Sequence, residues 1–236
     1  MKNKRWKEFE KWTEKCFLII TGLEKDRQCW DKAFSILKEI VSAERSAQPE
    51  RIVDPFHLDE DTDYEYDVQG WLEDYLDDLD MHEEYDKLLD VCEELLEMFR
   101  WEEGAASDVK FMKASALKSL ERNEDAVKFC RQWLSEEADN IYAVAANIYA
   151  DIAVHDSKEA EELIRQNIPE GTQCTDENDI LFTAASAFYK ETGNKKEKKR
   201  IDQEIAAYEK RLKEYFMGGG DEEDDEFSWD DELPFF

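Results

Sequence analysis

The residues of this chain best suited to bind a metal or attack a carbon are three histidines and five cysteines. His57, His82 and His155 lie far apart, and no HExxH pattern pairs them on one helix face. Glu83 and Glu84 directly follow His82, so neither shares its face of a helix. Cys16, Cys29, Cys92, Cys130 and Cys174 are odd in number and form no CxxC pair. Most of them fall on apolar helical stripes, which predicts buried free thiols in a reducing compartment. No phosphate loop with its Lys and Ser/Thr is present, and no dinucleotide fingerprint. No serine or cysteine has an identifiable base partner. The run from Asp59 to Asp67 sets oxygens at alternating positions, as a calcium loop does, but Tyr64 stands where the loop's glycine belongs and Gly70 where its last glutamate belongs. The expectation is a protein with no cofactor, no metal and no catalytic activity.

The charge is more informative than the nucleophiles. The net charge is −30, and it is unevenly placed. Residues 1–49 come to +3, residues 50–103 to −19, residues 104–220 to about −5 and residues 221–236 to −9. Such fields repel nucleic acid and membrane surfaces and attract basic protein surfaces. The basic stripe that a phosphate backbone requires is missing, so direct nucleic-acid binding is not expected. No run approaches eighteen apolar residues, so no membrane span is expected, and no apolar signal segment follows the basic start. These features read as cytoplasmic.

The elements that must position these charges read as helices. Only 8 Gly and 4 Pro are spread over 236 residues, and strong helix formers are abundant. Apolar residues recur at three- and four-residue steps over 3–21, 29–46, 70–80, 83–99, 105–121, 123–136, 139–154, 157–168, 176–191 and 195–216. The stripe of the first helix runs through Trp6, Phe9, Cys16, Phe17 and Ile20. That of the last runs through Ile201, Ile205, Tyr208, Leu212, Tyr215 and Phe216. Gly22 marks a stop and Asp26 a cap for the second helix. Residues 47–69 lose the period and hold Pro49, Pro55 and seven acids between Asp54 and Asp67. They read as an acidic insertion, with residues 50–67 poorly packed. In the next helix Glu73, Asp74, Asp77, Asp78 and Asp80 predict an almost wholly acidic outer face. Asp74, Asp77, Asp78 and Asp80 are the candidate docking face for a basic partner.

The second helix of each pair repeats one register. Ala33, Leu37 and Ile40 share it with Tyr85, Leu89 and Cys92, with Ala126, Cys130 and Trp133, and with Ala160 and Ile164. Ala126 and Ala160 are 34 residues apart. With Ala114 and Leu117 in the preceding helix, this pattern resembles the tetratricopeptide repeat family, most clearly over residues 70–200. The resemblance implies an all-α domain over 1–217, of antiparallel helix pairs stacked as a short solenoid that binds peptides or proteins. The stacking has an independent reason: a single pair cannot bury its apolar face, whereas stacked neighbours can.

The remaining segment, 218–236, reads as a disordered acidic tail with an apolar tip. Gly218-Gly219-Gly220 decouples it, and nine acids follow. Phe227, Trp229, Leu233, Pro234, Phe235 and Phe236 are costly to expose for solubility alone. Acids before an apolar plug suit a pocket with a basic rim. The order Asp230-Asp231-Glu232-Leu233-Pro234-Phe235 resembles the C-terminal tip of bacterial single-stranded DNA-binding proteins, which recruits replication and repair proteins. Phe236 lies one residue beyond that family's final Phe. The expected function is a non-catalytic interaction scaffold or adaptor that binds partners through its repeats and tail, including proteins that read such tips. The alternative is an acidic inhibitor or nucleic-acid mimic that occupies the DNA-binding or tail-binding site of a replication, repair or defence protein.

Overall fold

The computed structural model describes residues 2–217. Among them it has eleven α-helices and no strand, so the fold is all-α. In chain order these are α1 (Lys2–Ile20), α2 (Gln28–Ala47), α3 (Pro55–Asp61), α4 (Val68–Met81), α5 (Tyr85–Met98), α6 (Ser107–Ser119), α7 (Asn123–Glu136), α8 (Ile141–Ala153), α9 (Ser157–Asn167), α10 (Asp179–Glu191) and α11 (Lys195–Met217). All but α3 lie where the periodicity puts them. The candidate tail residues Phe227, Trp229, Asp230, Asp231, Glu232, Leu233, Pro234, Phe235 and Phe236 lie outside the described residues.

The acidic insertion differs from its expected form. Its first half is packed, with Val53, Asp54, Pro55, Leu58 and Asp59 buried, while most of residues 60–67 stay exposed. Three of its seven acids, Asp54, Asp59 and Asp67, serve as helix caps. Asp54 caps α3, accepting from His57 N–H at 3.0 Å, and Pro55 occupies the first turn, where its missing N–H is harmless. An isolated antiparallel bridge from Val53 to Arg100 fastens the segment. Asp59 accepts from Val68 N–H at 2.6 Å and Gln69 N–H at 3.0 Å, satisfying two donors at the start of α4. Asp67 takes a third, Gly70 N–H at 3.2 Å. A Cβ at Gly70 would meet Asp67 Oδ2 at 2.6 Å, so a larger residue there would push the capping carboxylate aside. Val53, Leu58 and Asp59 are each no more than 2% exposed. Dense acid and lost apolar period resemble disorder in a sequence, yet here they are the capping chemistry of two successive helix starts.

Four helix pairs share one turn. Glu83, Glu121, His155 and Gly193 have φ of 56°, 58°, 58° and 69°, and fall 38, 34 and 38 residues apart. In three of the turns the next N–H reaches back to a carbonyl five residues earlier: Glu84 to Leu79 at 2.9 Å, Arg122 to Leu117 at 2.9 Å and Asp156 to Asp151 at 2.8 Å. This left-handed stop satisfies orphan helix carbonyls and reverses the chain. Three non-glycine residues accept a strained φ to make it.

The chain divides into two compact units at Ala116 and Leu117. In the first, α1 packs on α2, and α4 on α3 and α5. Its core is aromatic. Trp30 stacks on Tyr75 with centroids 5.4 Å apart, and Phe9 meets Trp71 edge-on at 5.2 Å. In the second, α8 packs against α7, α9 and α10, and α10 against α11. Alanines permit this closeness: Ala143, Ala145, Ala184 and Ala185 are fully buried. Every register position named above is buried except Tyr85, which is half-buried.

Two stripes end earlier than the period implies. On α1 the buried set stops at Cys16, and Phe17 and Ile20 are 62% and 52% exposed. On α11 Tyr215 and Phe216 are 80% and 76% exposed, because the helix outruns the partner that covers Ile201.

Candidate partner-docking groove

In the first unit, α1, α2, the turn before α4 and α4 itself enclose a groove of about 580 Å³. Glu10, Thr13, Glu14 and Phe17 recur at helical steps and form its α1 wall. Trp30 and Trp71 form its floor, and Glu65, Tyr66, Asp67 and Asp74 its opposite side. Tyr66 stacks flat on Trp6, with centroids 4.8 Å apart and planes 11° apart, which pins the 65–67 turn against α1. Leu18 adds an apolar lip, and exposed Ile20 and Leu23 follow it along the chain. The indole N–H of Trp30 is buried without an acceptor. Five acids and no cation line this groove.

Of the groove acids Asp74 is perturbed, as are Asp77 and Asp80 farther along α4. Burial, then Asp67, raises the Asp74 carboxyl above its ordinary value. Asp77 is raised by burial, then by Asp74, Asp80 and Glu73, and Asp80 by burial. A cation placed beside Asp74 would favour its charged form against burial and Asp67.

Of the four acids of the candidate docking face, Asp74 lines the groove, Asp77 is exposed beside it and Asp80 is half-buried. Asp78 does not belong to that face. It is 5% exposed and accepts from Arg27 Nε at 2.9 Å, while the same guanidinium bonds Glu84. His82 Nδ1 lies 2.7 Å from the Asp78 carbonyl. Arg27 and Asp78 are 51 positions apart, so helical period alone cannot show the pairing. Asp78 is lost from the expected face because it is consumed in joining α4 to the turn before α2.

Nucleophiles are withdrawn. All five cysteines are buried and free. Burial pushes the Cys92 and Cys130 thiols up to about 12 and Cys174 to about 11, and raises Cys16 and Cys29. In the second unit a smaller groove holds His155 beside Arg131, but Arg131 bridges Asp151 and Asp156 at 3.2 Å each. No cluster of three metal-ligating side chains occurs among the described residues, and no described helix is long and apolar enough to cross a membrane.

The groove was missed by sequence reasoning because Glu10 and Asp74 come from helices that only the tertiary fold brings together. Phe17 gave no signal in the sequence, because its spacing places it on the covered stripe, and only the fold leaves it bare. Comparison with known protein families, with curated proteins and with solved structures finds no match to this chain.

Proposed function

We propose that the protein is a non-catalytic, cytoplasmic interaction scaffold whose first unit receives a basic, partly apolar segment of a partner protein. One observation carries this reading: a groove with an aromatic floor, an exposed apolar lip and an acid rim that holds no cation of its own. Apolar burial supplies affinity, while the acids steer encounter and select against acidic competitors. A mimic of nucleic acid needs bare charge in regular array. The Phe17 and Leu18 lip has no purpose in such a mimic, and burial of Asp78 shortens the array. The repeated left-handed turn and the buried register positions favour a tetratricopeptide-like stacking of the helix pairs, which suits a binding scaffold. The acidic-apolar tip, Asp230 to Phe236, is a second binding element in this proposal, directed to proteins that read tips of the kind borne by single-stranded DNA-binding proteins.

The test is a photo-crosslinking residue in place of Phe17 in the full chain, expressed in its native cell. A covalent adduct at a basic, partly apolar segment of one partner is expected, and its loss when Asp74 becomes Lys. Adducts with nucleic-acid-binding surfaces that persist in Asp74→Lys would overturn the reading in favour of a charge mimic.

A further inference from the structure

A third groove, about 420 Å³, lies in the first unit and has the opposite charge. Lys38, Val41, Ser42, Arg45 and Ser46 follow one stripe of α2. Met98 at the end of α5, Pro49 and Arg100 close the other side. Three cations line it and no acid does, in a unit whose charge is otherwise strongly negative. Arg45 Nη1 donates to the Met98 and Glu97 carbonyls at 2.7 and 3.2 Å, and Arg100 to the Pro49 carbonyl. These bonds hold each guanidinium through one nitrogen and leave its formal charge uncancelled. Arg27, Arg51, Arg122 and Arg131 each pair with a carboxylate, whereas no carboxylate pairs with Arg45 or Arg100 among the described residues. Lys38 pairs with Glu94 at 2.6 Å, but the two are 42% and 47% exposed, so the pair is weak and exchangeable. Buried Val41 and half-buried Met98 give the groove an apolar base.

We propose that this groove takes an acidic segment of a partner protein, in which two carboxylates three positions apart on an extended chain flank an apolar side chain. Charge complementarity carries the argument, and the spacing follows from the helix. Lys38 and Arg45 are seven residues apart on α2, which separates them by about 10 Å along its axis. Three steps of an extended chain span about 10 Å as well. One carboxylate meets Arg45 and Arg100, whose remaining N–H groups suit its two oxygens. The other takes the place of Glu94 on Lys38. The side chain between them covers Met98 above the buried Val41. Cations spread along a helix face suit a segment better than a lone phosphate, which occupies one end and leaves the apolar base bare. The same lining rejects the basic segment proposed for the acid-rimmed groove, so the first unit holds two sites of opposite selectivity.

The test titrates the full chain into a fluorescein-labelled synthetic peptide, Glu-Leu-Val-Glu between glycine-serine flanks, and follows anisotropy. Saturable binding is expected. It should weaken at least about tenfold when both glutamates of the peptide become glutamine, and again when Ser42 and Ser46 of the protein become Glu. Both serines are exposed, so these substitutions add repulsion without removing a packed side chain. Ser135→Glu with Ser157→Glu adds the same charge to the exposed surface of the second unit and should change binding less than about twofold. No saturation up to ~1 mM protein, or equal effects of the two double variants, would overturn the proposal. Displacement of the peptide by inorganic phosphate, but not by chloride at the same ionic strength, would overturn it in favour of a lone oxyanion site.

Discussion

Replacing Asp151 by Asn should stabilise the protein near neutral pH and do little in acid. Asp151 lies in the last turn of α8, where the helix dipole disfavours a negative charge. It is 1% exposed, and its Oδ2 is buried without a partner. Burial raises its carboxyl from 3.8 to about 6, against the opposing pull of Arg131 at 3.2 Å. A carboxyl whose pKa is higher folded than unfolded favours the fold below its unfolded pKa and loses that contribution as pH rises through its folded one. Because the folded value stands about two pH units above the unfolded one, the ionised group is a burden of about 3 kcal/mol at pH 7.5 and about 0.5 kcal/mol at pH 4. Asn keeps the shape and an oxygen for Arg131, but leaves a buried amide donor in need of a partner, which costs about 1 kcal/mol. The expected net gain is about 2 kcal/mol at pH 7.5, vanishing or reversing at pH 4. Urea unfolding of both proteins at the two pH values, followed by the helical circular dichroism signal, measures it. An Asp151→Asn change of equal size and sign at both pH values would refute the reasoning.

Arg27→Met leaves Asp78 buried with only His82 near its carboxylate and should cost about 3 kcal/mol, whereas Lys38→Met, in an exposed pair, should change stability by less than about 1 kcal/mol; chemical denaturation of the two variants separates them. Leu58→Ala should cost about 2–5 kcal/mol if α3 is packed as described, and amide exchange should show protection at Leu58 and Val68; a neutral substitution with free exchange would return residues 50–67 to a loose acidic loop. The native protein should resist a thiol reagent at pH 8 at all five cysteines and react fully in urea; rapid labelling of any one would contradict its burial.

Helix positions were legible because each stripe repeats locally, and the buried register from Ala33 to Ile164 follows from the same periodicity. The acids were legible as charge but not as caps. Asp54-Pro55 carries the signature of a helix start, yet α3 spans only seven residues, too few to show a period. Asp59 caps a helix that begins nine residues later, a relation no local rule reaches. Stripe ends failed where a helix extends past its cover, as at Phe17 and Tyr215. The groove and the Arg27–Asp78 pair depend on which helix faces which, and that is set by aromatic packing such as Trp30 on Tyr75, not by any single segment.

The central claim is that apolar contact and acid together, in one groove, capture a basic segment. Isothermal titration of the full chain with a synthetic amphipathic Lys/Leu helix tests it most directly, using Phe17→Ser in the lip, Asp74→Lys on the rim and Asp90→Lys on the exposed surface away from the groove. The account predicts that the first two each weaken binding about tenfold or more while Asp90→Lys changes it little, and that a measurable part of the affinity survives high salt. Binding that ignores Phe17→Ser, responds equally to Asp74→Lys and Asp90→Lys, and disappears in salt would contradict it.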